Sequence, residues 1–183
     1  SAARDASNAE LLLGGLRKLD LSPMVIPGEV EARLTFFGVA HDFAGERILV
    51  ADSGGGSTEL AKGVYDPAVA RFELEDTVSL DIGCRRVTER FLHGEPPAPE
   101  ELKAASAWAE EQFAAHWAQL PVAVELPERL VAVGGTVTTL VAMVHELKQY
   151  DPAFVHLHAL SLDEVERAVE RLSKLTPQQI AEL

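Results

Sequence analysis

The segment Ile48-Leu-Val-Ala-Asp-Ser-Gly-Gly-Gly-Ser-Thr-Glu59 is the most informative part of this sequence for predicting its fold. Its first four residues form a continuous apolar run, which is typical of a strand covered on both faces. After the glycines, the residues from Leu60 to Val64 alternate in strand fashion, so the chain doubles back instead of entering a helix. A turn at Asp66-Pro67 leads to a third strand, predicted over residues 69–79. These strands predict an antiparallel meander.

Apolar residues at helical spacing surround this meander. They predict helices over residues 5–19, 29–40, 83–92, 102–120, 134–147 and 161–175, and a capping box at residues 176–179 predicts one more helix start. Further short strands are predicted at residues 24–26, 130–133 and 155–160. The order of the elements favours an α/β fold of the ribonuclease-H-like or actin-like class, with a mixed sheet of about five strands flanked by helices.

The composition limits the classes of function. A formal net charge of −13 argues against nucleic acid as a partner, because proteins bind its backbone with clustered Lys and Arg. No apolar run reaches the roughly 18 residues of a membrane-spanning helix, and the polar start of the sequence does not resemble a signal peptide. The lone Cys84 rules out an internal disulfide framework. We therefore expect a cytoplasmic protein without nucleic acid or membrane partners.

The glycine loop after the first meander strand is the strongest chemical signal. Gly54, Gly55 and Gly56 let the backbone turn its amides toward an anion. Ser57 and Thr58 add hydroxyl donors. The loop lacks the Gly-Lys-Ser/Thr of a Walker P-loop, and no helix opens after it as a dinucleotide-binding fingerprint requires. The structural alternative is a tight glycine hairpin, which needs only one or two such residues.

Two acidic residues flank this loop. Asp52, at the end of the buried strand, is a candidate ligand for a divalent cation or its water shell. Glu59 is a candidate to orient or deprotonate a water molecule.

A second loop, Gly134-Gly135-Thr136, precedes a predicted helix. Free amides and the helix dipole at a helix N-terminus favour an anion. An ordinary helix cap is an equally good interpretation of this loop alone. Both loops, however, follow the ends of buried strands, where open sheets commonly bind ligands.

Five segments together resemble the exopolyphosphatase and guanosine pentaphosphate phosphohydrolase family of the actin-like superfamily. They are Ser1–Asn8, Gly28–Leu34, Asp52–Glu59, Ser79–Gly83 and Val133–Leu140, and they run in the family's order. The resemblance implies hydrolysis of the terminal phosphoanhydride of inorganic polyphosphate or of a guanosine polyphosphate such as guanosine pentaphosphate. It also implies Mg²⁺ or Mn²⁺ as the cofactor, and a homodimer is a further expectation for the full-length protein.

The resemblance also implies roles for individual residues. Glu31 is similar to the family's catalytic glutamate, which activates the attacking water, and Glu59 to a second essential acid that assists it or holds the metal. Asp52 matches a residue near the metal, and Arg4 a phosphate-contacting arginine. The sequence departs from the family pattern at Val30, which replaces the first of two paired glutamates.

Both ends of the sequence look cut, so we expect a part of a longer protein. By resemblance, residues 1–28 are the C-terminal remnant of a first actin-like lobe, and residues 29–183 form the second lobe. The family's first phosphate loop is missing from the sequence, so we expect the chain to be inactive alone. Two alternatives stay open: an actin-fold ATP-dependent sugar or acetate kinase, and a non-catalytic domain that binds polyphosphate or nucleotides.

Overall fold

The computed structural model describes residues 2–120 and 125–183. Its helices are α1 (Ala2–Asp5), α2 (Ala9–Arg17), α3 (Gly28–Val39), α4 (Cys84–Phe91), α5 (Pro99–Trp117), α6 (Gly135–Val144), α7 (Pro152–Val155), α8 (Leu162–Leu172) and α9 (Pro177–Ala181). A 3-10 turn over Ala40–Phe43 follows α3. The strands are β1 (Arg47–Ser53), β2 (Thr58–Asp66), β3 (Arg71–Leu80) and β4 (Arg129–Val133).

The strands of the described part form one mixed sheet in the order β3-β2-β1-β4. β2 pairs antiparallel with both β1 and β3, and β4 pairs parallel with β1. The predicted meander and the α/β class with helices around a mixed sheet are confirmed. Within residues 2–120 and 125–183 the sheet has four strands, in place of the predicted five or so.

The strand predicted at residues 24–26 is wrong. This segment forms no strand and belongs to no sheet. It lies between Pro23 and Pro27, and proline has no backbone N–H to donate to a ladder. Three residues between two such breaks are too few to pair.

The strand predicted at residues 155–160 is also wrong, because a helix signal precedes it. The Asp151 side chain accepts hydrogen bonds from the amides of Ala153 and Phe154, and Pro152 occupies the first turn of α7. A capped start with proline outweighs a short apolar run. The helix predicted over residues 5–19 is split into α1 and α2 by a turn at Ser7 and Asn8.

The main core joins α3 to one face of the sheet. Ala32, Phe36 and Ala40 recur every four residues and are almost fully buried against Ile48 and Val50 of β1. Burial of a side chain of the size of Phe36 contributes about 1.5–3 kcal/mol. This packing fixes α3 so that its first turn lies over the end of β3, where Gly28 meets Ser79.

The surface of α2 and the segment after it is notably apolar. Leu11 is 78% exposed, Leu19 71% and Met24 80%. Despite such residues, none of the helices within residues 2–120 and 125–183 combines the length and the apolar character needed to cross a membrane.

Candidate active site

A row of polar side chains crosses three strands at one end of the sheet. Asp52 of β1 pairs with Glu59 of β2, and Glu59 pairs with Ser79 of β3. Directly paired residues of neighbouring strands project from the same face of a sheet. This face is the one that α3 covers, because Ile48, Val50 and Asp52 are spaced two residues apart along β1 and so lie on the same face.

Helix α3 adds two side chains above this row. Glu31 lies in its first turn and Thr35 one turn later, so both are on the same helix face. The Thr35 hydroxyl lies 3.5 Å from Oδ2 of Asp52. The helix can approach the row because Gly28 has no side chain: a Cβ there would lie 2.2 Å from the Cβ of Ser79.

Arg4 joins the two glutamates. Its guanidinium donates to Oε2 of Glu31 at 2.8 Å and to Oε1 of Glu59 at 3.1 Å. Burial would lower the pKa of Arg4, but the hydrogen bonds and charges of Glu31 and Glu59 outweigh it and raise that pKa. The segment before α3 therefore brings a permanent cation to a pair of carboxylates.

Glu59 is the most enclosed acid of the site, with 3% of its side chain exposed. Its Oε1 also accepts hydrogen bonds from the hydroxyls of Ser57, at 2.7 Å, and Ser79, at 2.8 Å. With Arg4, three donors converge on one oxygen. Hydrogen bonds to an ionised acceptor are roughly twice as strong as neutral ones, so this carboxylate is held firmly.

Asp52 is half-buried and faces like charges. Burial raises the pKa of Asp52, and the nearby Glu59 and Glu31 raise it further, while the hydrogen bond from Thr35 acts against them. A cation beside Asp52 would relieve this unfavourable environment.

The fit of a metal ion differs between the two predicted ligands. Within residues 2–120 and 125–183, no three His, Cys, Asp or Glu side chains are grouped to hold a metal ion. Mg²⁺ commonly uses one or two carboxylates together with water and substrate phosphates, so Asp52 is suited to this role. Glu59 is less suited, because Oε1 is already committed to three donors.

The glycine loop is anchored from behind by α4. The carbonyl of Gly54 accepts from the amide of Cys84, and that of Gly55 from the amides of Arg85 and Arg86. The Arg86 side chain donates to the carbonyl of Gly56 at 2.9 Å. The C=O and N–H of a trans peptide point in opposite directions. The amides that follow these three carbonyls therefore point away from α4.

These outward amides belong to Gly55, Gly56 and Ser57, which form a candidate anion cradle. The Gly54 amide is engaged within the loop, where it donates to the Ser57 carbonyl at 2.9 Å. Thr58 is turned inward as well: its hydroxyl donates to the Ile82 carbonyl at 2.6 Å. Of the predicted phosphate contacts, Gly55, Gly56 and Ser57 thus have the suitable orientation.

The second loop lies at the same end of the sheet, because β1 and β4 are parallel neighbours. Gly134 has a φ of +95° and abuts Asp52, since a Cβ there would lie 2.9 Å from Oδ1. The Thr136 hydroxyl donates to the Ser53 carbonyl at 3.3 Å. Gly135 and Thr136 are exposed at the start of α6.

A family model for the Ppx/GppA phosphatase family matches residues 1–183. The chain belongs to the Ppx/GppA phosphatase family. Exopolyphosphatase 2 of Mycobacterium tuberculosis is 34% identical over 191 residues, a match that covers 100% of this chain and 57% of that protein. Exopolyphosphatase 1 of Mycobacterium bovis is 35% identical over 117 residues, or 62% of this chain and 32% of that protein.

Solved structures of the Ppx/GppA family and its relatives share the fold. The crystal structure of an exopolyphosphatase-like protein has a TM-score of 0.86 and 33% identity, covering 100% of this chain and 57% of that one. The Ppx-GppA enzyme of Aquifex aeolicus has a TM-score of 0.79 and 29% identity, with the same coverage. The chain spans just over half the length of these relatives.

The structure brings the predicted acids of this family member together with Arg4. Sequence reasoning missed three side chains that support them: Thr35, Ser79 and Arg86. Ser79 could have been singled out as a candidate because it begins one of the five segments that carry the family resemblance. Arg86 also pairs with Asp5 at 2.8 Å, and no spacing in the sequence indicates that contact.

Proposed function

We propose that the intact protein removes terminal phosphates from inorganic polyphosphate by hydrolysis of a phosphoanhydride bond. The observation that carries this proposal is the meeting of Glu31, Glu59 and Asp52 beside an amide cradle at one end of the sheet. Inorganic polyphosphate comes first because the named relatives are exopolyphosphatases. Guanosine pentaphosphate is the second candidate substrate.

The glycine loop supports a ligand rather than a structural role. A Cβ at Gly54 would meet nothing closer than 3.5 Å in the described chain, and one at Gly55 nothing closer than 3.8 Å. Packing within the described residues thus does not require glycine at either position. A loop that must admit phosphate oxygens to its backbone does require small residues.

In the proposed mechanism Arg4 and the amides of Gly55, Gly56 and Ser57 hold the terminal phosphates. Phosphoryl transfer asks a protein mainly for positioning and charge neutralisation. Glu31 orients a water molecule toward the terminal phosphorus and accepts its proton, as a general base. Arriving phosphate oxygens would compete with Glu31 for Arg4.

Asp52 is the proposed residue that holds Mg²⁺ or Mn²⁺, with Glu59 assisting through its other oxygen. The cation supplies neutralisation of the charge that develops on the phosphoryl oxygens. The second loop, Gly134 to Thr136, closes the same crevice from the side of β4. The N-terminus of α6, which follows this loop, favours binding of a further phosphate of the polyphosphate substrate.

We also propose that residues 1–28 belong to a first lobe of the intact protein. The exposed leucines of α2 and the exposed Met24 support this division, since such surface is normally covered. A substrate would then bind between this lobe and residues 29–183.

The test is phosphate release by the intact protein from polyphosphate and from guanosine pentaphosphate. Glu31→Gln should reduce kcat about a hundredfold or more with little change in KM, as expected for loss of a general base. Glu29→Gln is the matched control, because it makes the same change at an exposed position of the same helical turn. Wild-type turnover by Glu31→Gln would contradict the proposal, and transfer of label from ATP to a sugar or acetate would favour a kinase.

A further inference from the structure

Ser79 contacts both Glu59 and Arg4 in the site. Its hydroxyl donates to Oε1 of Glu59 at 2.8 Å, and Nη2 of Arg4 lies 3.5 Å from the same hydroxyl. Its backbone pairs with Glu59 across β2 and β3. The side chain therefore projects from the catalytic face and has one strong hydrogen bond, to a carboxylate oxygen.

The contact with α3 makes the position of Ser79 hard to change. An added Cβ on Gly28 would lie 2.2 Å from Cβ and 2.3 Å from Oγ of Ser79. The backbone of Gly28 and the side chain of Ser79 thus touch directly at the start of α3, the helix that carries Glu31. Ser79 consequently determines both where Glu59 is held and how closely Glu31 approaches it.

The other two donors to Glu59 have a second task in the proposed function. Arg4 would contact a phosphate, and the amide of Ser57 belongs to the anion cradle. Arg4 would exchange a carboxylate contact for the phosphate, and Ser57 lies in the loop that would bind it, whereas Ser79 lies on β3, outside the glycine loop. Among the donors to Oε1, only Ser79 has no proposed phosphate contact.

We propose that Ser79 is a positioning residue that holds Glu59 in place while the substrate engages Arg4 and the glycine loop. This inference rests on the proposed function, because it concerns the reaction in which Glu59 takes part. It assigns Ser79 no contact with substrate. Ser79→Ala keeps the Cβ that faces α3 and removes only the hydroxyl that donates to Glu59, so the effect of this change on turnover should pass through Glu59.

The experiment compares variants of the intact protein in steady-state polyphosphate hydrolysis. Ser79→Ala should lower kcat about tenfold, the usual consequence of losing a hydrogen bond to a charged group, with KM within about twofold. The kcat of Ser79→Cys, whose thiol is a weaker donor, should lie between those of Ser79→Ala and the wild type. Ser106→Ala is the control, since Ser106 is exposed on α5, and it should equal wild type.

The decisive measurement combines Ser79→Ala with Glu59→Gln. If Ser79 acts through Glu59, the double variant should have the kcat of Glu59→Gln alone, because coupled residues are not additive. The same tenfold loss in both backgrounds would overturn the inference, as would a kcat for Ser79→Ala equal to wild type. A Glu59→Gln protein with wild-type kcat would instead refute the role of Glu59 in the proposed function.

A second comparison tests the contact independently of activity. Gly28→Ala should lower the thermal midpoint in the wild-type background, where its Cβ meets Ser79. In a Ser79→Gly background that obstacle is gone, and the same change should have little effect. Equal losses in both backgrounds would show that Ser79 does not seat α3.

Discussion

Gly83→Ala should displace the glycine loop from behind. Gly83 precedes α4 with a φ of −139° and a ψ of 154°, a conformation that alanine adopts without strain. The added Cβ, however, would lie 2.4 Å from the carbonyl carbon and oxygen of Gly55 and from the nitrogen of Gly56. These are backbone atoms of the proposed phosphate cradle, and they cannot rotate away.

The size of the effect follows from this distance. Atoms in ordinary contact are about 3.5 Å apart, so the loop or α4 must move by about 1 Å. Overpacking of this kind costs typically 1–3 kcal/mol of stability. A displacement of about 1 Å in a positioning element can also reduce turnover about a hundredfold. The amides of Gly56 and Ser57, next to the clash, should move most.

Urea unfolding and phosphate release by the intact protein measure the two effects. Gly38→Ala is the control: it makes the same substitution in α3, where nothing lies within 4 Å of the added Cβ. That change should raise stability by up to about 1 kcal/mol, since alanine favours a helix over glycine, and leave turnover unchanged. A Gly83→Ala protein with wild-type stability and turnover would refute the packing of the loop on α4.

Two further predictions concern charge and domain structure. Asp52→Asn should raise the free energy of unfolding at neutral pH in the presence of a chelator, because the pKa of Asp52 is raised by burial, Glu59 and Glu31. A carboxyl with a raised pKa destabilises the folded protein only at pH values where it is ionised. The stability gain of the Asp52→Asn variant should therefore vanish below about pH 4. A gain that persists at that pH would contradict the assignment. Residues 1–183 alone should release phosphate at less than about a hundredth of the rate of the intact protein, because one lobe aligns the terminal phosphate from one side only. Equal rates in a phosphate-release assay would show that no other lobe is needed.

The meander could be predicted because its signals are local. The apolar run before Asp52, the three glycines and the alternation after Glu59 lie within seventeen residues of sequence, Ile48 to Val64, and they fix both the strands and the reversal between them. The acids at the two ends of the glycine loop were therefore recognisable as neighbours: Asp52 and Glu59 must pair when the loop closes the hairpin.

The supporting contacts could not be predicted because they depend on register and on packing between distant elements. β2 and β3 contain an irregularity between Lys62 and Gly63, so the residue opposite Glu59 cannot be counted from the turn. Ser79 has that position only after the irregularity is taken into account. The pairing of Arg86 with Asp5 likewise requires α1 to lie beside α4.

The errors at residues 24–26 and 155–160 have a different origin. Each is a short apolar segment, and a strand needs a partner as well as a suitable sequence. Pro23 and Pro27 lack the backbone N–H groups that strand pairing of residues 24–26 would use. Asp151 and Pro152 start a helix before residues 155–160 can form a strand. Turn and capping residues were present in the sequence and should have outweighed the apolar pattern.

The charges around the site limit how a chain with a net charge of −13 could bind the polyanionic substrate that we propose. Arg4 is surrounded by Glu31 and Glu59, and the raised pKa of Asp52 reflects the same crowding of negative charge. Because Arg4 is already paired with Glu31 and Glu59, the further positive potential that a phosphate needs would come from backbone amides, which carry no net charge, and from a cation at Asp52. A site of this kind binds its substrate poorly without the cation. The dependence of KM on Mg²⁺ concentration should therefore be steeper than the dependence on ionic strength, because the side chains of Arg4 and Glu59 are only 22% and 3% exposed and salt screens enclosed charges weakly.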